Sequence, residues 1–146
     1  MQNYFLYSKC YNVCMELTLV YEGVIYSKKN SKQIVGFKSG HPRLISSKNA
    51  RCMEQLMSYR FKNQSKGVKF GENDLCKISI ELYRKNNTRR DLDNTTTSIL
   101  DGLVASGVIY DDNWKNIKSL YIEDKGVDKD NPRAVINIRK VNWWIH

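Results

Sequence analysis

The chain has no run of about 18 consecutive apolar residues, so nothing in it reads as a membrane-spanning helix. Its opening, MQNYFLYSKCYNVC, lacks the basic start, apolar centre and small-residue cleavage site of a secretory signal; a soluble, cytoplasmic protein is expected. No CxxC pair occurs among Cys10, Cys14, Cys52 and Cys76, and His41 and His146 are the only histidines, which argues against zinc. The cysteines are expected to be free, buried or half-buried thiols. Repeats and low-complexity linkers are also missing, which leaves one domain over residues 1–146.

Acid is scarce in the first half. Residues 1–75 carry 12 Lys/Arg against 5 Asp/Glu, a balance of +7, whereas residues 76–146 carry 12 against 10, or +2. The net charge of +9 favours a polyanionic partner such as nucleic acid, because Lys and Arg displace counterions condensed on phosphates.

The elements can be placed from periodicity. Met15, Leu17, Leu19 and Tyr21 alternate as in a strand near 15–21. The following segment, with β-prone pieces at Gln33–Phe37 and Arg43–Ile45, suggests a long basic loop or small hairpin. A helix is predicted from an N-cap at Ser47, with Cys52, Leu56, Tyr59 and Met53 on its inner face. LCKISIELYRK reads as a strand with Cys76, Ile78, Ile80 and Leu82 on one face. A second helix is predicted over about Asn94–Ser106, capped by Asp93 or Asn94 and stopped by Gly107. Two β-prone runs, Ile117–Glu123 and Ala134–Val141, look like a hairpin around a polar turn.

In this basic chain, RRDLDNTTTSILDGLVASGVIYDD gathers Asp91, Asp93, Asp101, Asp111 and Asp112. A helix of 12 or 13 residues rises about 18–20 Å, and Gly107–Asp112, if extended, return about 20 Å, enough to bring Asp112 beside Asp91 and Asp93. Three such carboxylates repel one another unless cations offset them, and their hard oxygens suit Mg²⁺ or Mn²⁺. A hard-metal site beside basic residues fits phosphodiester hydrolysis; the rival is a set of ordinary acidic surface turns.

The same stretch, with VIYSKKNS upstream and SLYIEDKG and NPRAVINIRK downstream, resembles the RusA family of Holliday junction resolvases, small endonucleases common in phages and prophages. The ordered pattern is a strand, basic-Asp-x-Asp-Asn, a helix with a further Asp, a Gly-Val turn, an Asp-Asp pair and a hairpin. It covers about residues 13–140 and marks a core of about 13–141. The resemblance implies an α+β homodimer, with a small mixed β-sheet and two main helices packed on it. It also implies a Mg²⁺-dependent endodeoxyribonuclease that cuts two opposed strands of a four-way junction in a bacterial or phage-infected cell. By position, Asp91, Asp93 and Asp112 are its catalytic and metal-binding residues. Asp111 either assists or shapes the turn, and Asp101 is assigned to structure.

Lys28, Lys29, Arg89, Arg90, Asn94 and Lys115 are expected at the DNA. Where the family usually carries a Lys, four residues after the second Asp, this chain has Thr97. An alternative is therefore a catalytically weak or inactive junction-binding protein of the same fold, or a charge supplied by Arg89, Arg90, Lys115 or Lys118. Asp124, Asp128 and Asp130 lack the glycine and Glu of a calcium loop and are expected to shape a turn. Trp114, Trp143 and Trp144 are expected to bury area in the core or a dimer interface rather than stack on bases. His41 is given no role.

Overall fold

The computed structural model describes residues 15–27 and 32–141. Four strands form one sheet in the order β1-β6-β4-β5, and two more form a separate hairpin, β2-β3. Strand β1 (Glu16–Glu22) runs antiparallel to β6 (Arg133–Lys140), pairing Leu19 with Ile136 and Tyr21 with Ala134. Strand β4 (Cys76–Arg84) is antiparallel to β6 and parallel to β5 (Ile117–Val127), so Ile80 stands between Ile136 and Ile122. The mixed sheet with two helices is the expected α+β architecture. The small hairpin also forms, as β2 (Lys32–Val35) and β3 (Arg43–Ser46).

Period-two alternation puts Cys76, Ile78, Ile80 and Leu82 on the buried face of β4, as the sequence predicts, joined by Leu19, Tyr21, Ala134, Ile136 and Ile138. Helix α1 (Lys48–Ser65) and helix α2 (Leu92–Ser106) complete the same core, through Met53, Met57 and Phe61 from one and Ile99, Leu100 and Leu103 from the other. Among the described residues no helix is long and apolar enough to cross a membrane.

Helix α1 begins at Ser47, whose hydroxyl accepts from the Ala50 N–H at 3.2 Å. Its inner face differs from the predicted one. Ala50, Met53, Met57 and Phe61 are buried, whereas Cys52 is exposed, as are Leu56 and Tyr59. Both sets have helical spacing, and the partner helix decides between them: Gly102 of α2 lets Met57 approach so closely that a Cβ there would overlap its Sδ.

The two C-terminal runs do not pair as a hairpin. They lie on either side of β4, linked by residues 128–132 passing across its end, where the Asp128 N–H bonds the Arg84 carbonyl at 2.7 Å. Burial explains the insertion of β6: its Ala134, Ile136 and Ile138 need cover from strands on both sides, while most of β5 is exposed and suits an edge. The turn is held by Arg84 on Asp124 and Arg133 on Asp128, each at 2.8 Å, as expected of a structural acidic turn.

Candidate active site

Parallel strands β4 and β5 require a crossover, and α2 provides it, so the start of α2 follows directly from the end of β4. The helix begins two residues before the predicted start, because Thr95 closes a turn on the Asp91 carbonyl with its N–H and its hydroxyl, both at 3.2 Å. Asp91 thereby takes the N-cap position with extended backbone (φ −79°, ψ 132°), but its side chain makes no capping bond. Asp93 falls in the first turn, where the positive end of the helix dipole favours a carboxylate.

Asn94 joins these two acids. Its side-chain amide donates to Asp91 Oδ2 at 3.4 Å and its main-chain N–H to Asp93 Oδ1 at 2.8 Å. Asp91 and Asp93 are exposed, whereas Asn94, expected at the DNA, is buried beneath them and bonded to both. Its Oδ1 is buried without a hydrogen-bond partner among the described residues. Such an atom costs about 1–3 kcal/mol, a cost retained here beside two acids.

The TTTS segment turns inward on its own helix. Thr96, Thr97 and Ser98 each bond the carbonyl four residues back, at 2.7, 2.9 and 3.3 Å. Thr97 therefore commits its hydroxyl proton to the Asp93 carbonyl and brings no charge to the place where a Lys was expected.

Beyond α2, Gly107 (φ 76°) reverses the chain, and Val108 and Ile109 are buried beside Phe70, whose N–H bonds the Val108 carbonyl at 2.8 Å. Asp111 shapes the turn that follows: its Oδ1 accepts from the Asp112 N–H at 2.7 Å and its Oδ2 from Asn113 Nδ2 at 2.9 Å. Partial burial, then a hydrogen bond and charge from Asp111, then the charge of Asp101, push the Asp112 carboxyl above the usual carboxylate range. Asp101, set apart by its spacing, is thus the α2 carboxylate whose charge reaches Asp112. The signal was in the sequence, since Asp93, Thr97 and Asp101 form an i, i+4, i+8 row on one helix face. Among the described residues no three His, Cys, Asp or Glu side chains are grouped as a metal site. The expected return of Asp112 to the Asp91 and Asp93 pair is accordingly not seen within this one chain.

Of the basic residues, Arg90 donates to the Ile25 carbonyl at 2.7 Å and lies 5.7 Å over the Tyr26 ring. Arg89 is exposed beside it. Lys115 is exposed, its ammonium 5.8 Å over the ring of Trp114, which is 80% exposed rather than buried as predicted. Lys28 and Lys29 lie outside the described residues, as do Trp143 and Trp144.

By donor chemistry, Asp91 and Asp93 fit Mg²⁺, which is commonly held by one or two carboxylates together with water and substrate phosphate oxygens. No curated protein matches the chain. Residues 26–139 match the sequence model of the family described as Endodeoxyribonuclease RusA, a span that takes in β2 through most of β6 and every described acid discussed above, and the chain belongs to that family.

Proposed function

We propose that this chain, acting as one RusA-like domain, binds four-way DNA junctions as a homodimer and resolves them by Mg²⁺-dependent hydrolysis of two opposed strands. The observation that carries the reading is the exposed Asp91 and Asp93 pair, tied together by Asn94 and preceded by Arg89 and Arg90, in an endodeoxyribonuclease-family chain of net charge +9. A symmetric substrate cut twice makes a two-fold dimer the economical arrangement.

Asp91 and Asp93 would hold the ion, and Asp112, not grouped with them among the described residues, is the third carboxylate that this reading assigns to it. Mg²⁺, or Mn²⁺ in its place, supplies Lewis-acid stabilisation of the charge that develops on the phosphate and eases deprotonation of the attacking water. Asn94 fixes the direction of the Asp91 carboxylate. Arg90, already oriented by the Ile25 carbonyl, offers its remaining N–H groups to a phosphate beside Asp91. Arg89, Lys28, Lys29 and Lys115 hold flanking phosphates and carry no sequence information.

Thr97 favours a second reading, a junction-binding protein with little or no catalysis, because its hydroxyl proton is spent on the Asp93 carbonyl. Incubating the pure protein with a labelled four-way junction and an equal-length duplex, in Mg²⁺ and in EDTA, separates the two. Symmetric nicking of the junction in Mg²⁺ alone supports the resolvase. Junction binding without any nicking leaves the second reading.

A further inference from the structure

A cavity of about 230 Å³ opens where the end of β4, the segment after β1 and the first turn of α2 meet. Tyr26, Leu82, Tyr83 and Leu92 are among its lining residues, with Arg90 and Lys85 among its cationic groups. Leu92 and Arg90 are the two chain neighbours of Asp91, so the cavity adjoins the carboxylate pair.

The charges around it are of two kinds. Arg133 lies 3.7 Å above the Tyr83 ring and is committed to Asp128, and Arg84 is committed to Asp124. Arg90 and Lys85 have no carboxylate partner among the described residues. Arg90 spends one N–H on the Ile25 carbonyl, which fixes its position and leaves most of its donors available.

Aromatic and aliphatic lining residues beside cations that have no carboxylate partner among the described residues suit a planar ring that carries an anion. A cavity of about 150 Å³ is enough for benzene, so this one suits a one- or two-ring heterocycle. Aromatic and guanidinium planes hold bases of any sequence by stacking.

We propose that this cavity receives an unstacked DNA base, with the phosphate of the same nucleotide on Arg90 and the neighbouring phosphate at Asp91 and Asp93. The proposal rests on the nuclease reading for its DNA and goes beyond it in assigning a base-binding site. A base leaves its stack most cheaply where the duplex is already interrupted. The site therefore favours branched and single-stranded DNA over continuous duplex, without contacting a particular sequence.

The test compares binding of the full-length protein to a single-stranded oligonucleotide and to its counterpart with abasic central positions, which keeps the phosphates and loses the rings. Wild type should bind the abasic strand about 5- to 150-fold more weakly. Leu92→Trp, which fills the cavity, should bind both strands alike, whereas Trp114→Ala should keep the wild-type preference. Tyr26→Ala asks the same question by removing a wall, and Tyr26→Phe should restore the preference. Equal preference in wild type, Leu92→Trp and Tyr26→Ala overturns the proposal. Nicking of a four-way junction is read separately. Nicking with no effect of the cavity variants removes the base site alone, and base preference with no nicking removes the nuclease reading alone.

Discussion

Near the end of β5 and in the turn after it, Asp124 and Asp128 each meet an arginine at 2.8 Å, and chiefly those hydrogen bonds hold both carboxyls below their usual range. Around α2 the same residue type is treated differently. None of Asp91, Asp93 and Asp112 has a Lys or Arg at ion-pair distance among the described residues, although Arg89 and Arg90 directly precede Asp91. Arg90 is drawn instead to the Ile25 carbonyl and the Tyr26 ring. The carboxyl of Asp112 moves the opposite way from Asp124, pushed up by partial burial and by its acidic neighbours. Asp124 and Asp128 thus have their cations within the fold, whereas Asp91, Asp93 and Asp112 have none at ion-pair distance among the described residues.

The sharpest way to break this contrast is to neutralise one acid in each region. Asp93→Asn should lower junction cutting by about 10²–10³-fold while leaving junction binding intact, as expected of a group that acts in the transition state. Asp124→Asn should leave cutting unchanged and lower Tm slightly. Timed nicking of a labelled junction and a melting curve for each variant decide the matter. Equal loss of cutting in both would mean that the two regions do not differ as described.

A smaller effect is expected one step back from the acids. Asn94→Leu removes the hold on Asp91 and also the buried, partnerless Oδ1. Cutting should fall about 10- to 100-fold, the usual size for a residue that orients a metal ligand, while Tm stays level or rises. A fall in Tm with unchanged cutting would show that Asn94 serves the fold alone.

Which of these features were legible in the sequence depends on how local they are. Ser47 as a cap, the alternation of β4 and the reversal at Gly107 follow from the chemistry of a few adjacent residues, and all three are present. On α1 the expected Met53 is buried, but Cys52, Leu56 and Tyr59 are not, because Ala50, Met57 and Phe61 offer a face of the same period and contact with Gly102 favours Met57 and Phe61. Strands β5 and β6 look like a hairpin in the sequence because they are adjacent in it, but β6, buried at Ala134, Ile136 and Ile138, needs a neighbour on both sides, while β5 is largely exposed. At the site, the Asp91 and Asp93 pair could be read from its spacing. The neighbourhood of Asp112 could be read only in part: the row of Asp93, Thr97 and Asp101 is visible in the sequence, but where Asp112 stands beside it depends on where Phe70 seats Val108 and Ile109 against the end of α2.

The two acidic regions should also part company on titration, with the smallest effect of the set. A carboxyl lowered in the folded state contributes stability that is present above its unfolded value, near 3.9, and is lost as pH falls through the folded one. Asp124 and Asp128 are of this kind, so their contribution should disappear below about pH 4. Asp112 is raised, so its contribution has the opposite sign: it is present at low pH and lost as pH rises through the folded value. Stability should therefore rise gently as pH drops from neutrality toward the unfolded carboxylate value near 3.9 and fall once pH passes below it. Asp112→Asn should remove the upper slope and raise Tm at pH 7 by about 1–3 °C, a small effect because solvent screens the repulsion from Asp111 and Asp101. Replacing both Asp124 and Asp128 with Asn should flatten only the acid limb. Melting curves of the three proteins between pH 3 and 7 test both slopes, and an upper slope that survives in Asp112→Asn would place the unfavourable charge elsewhere than beside Asp111 and Asp101.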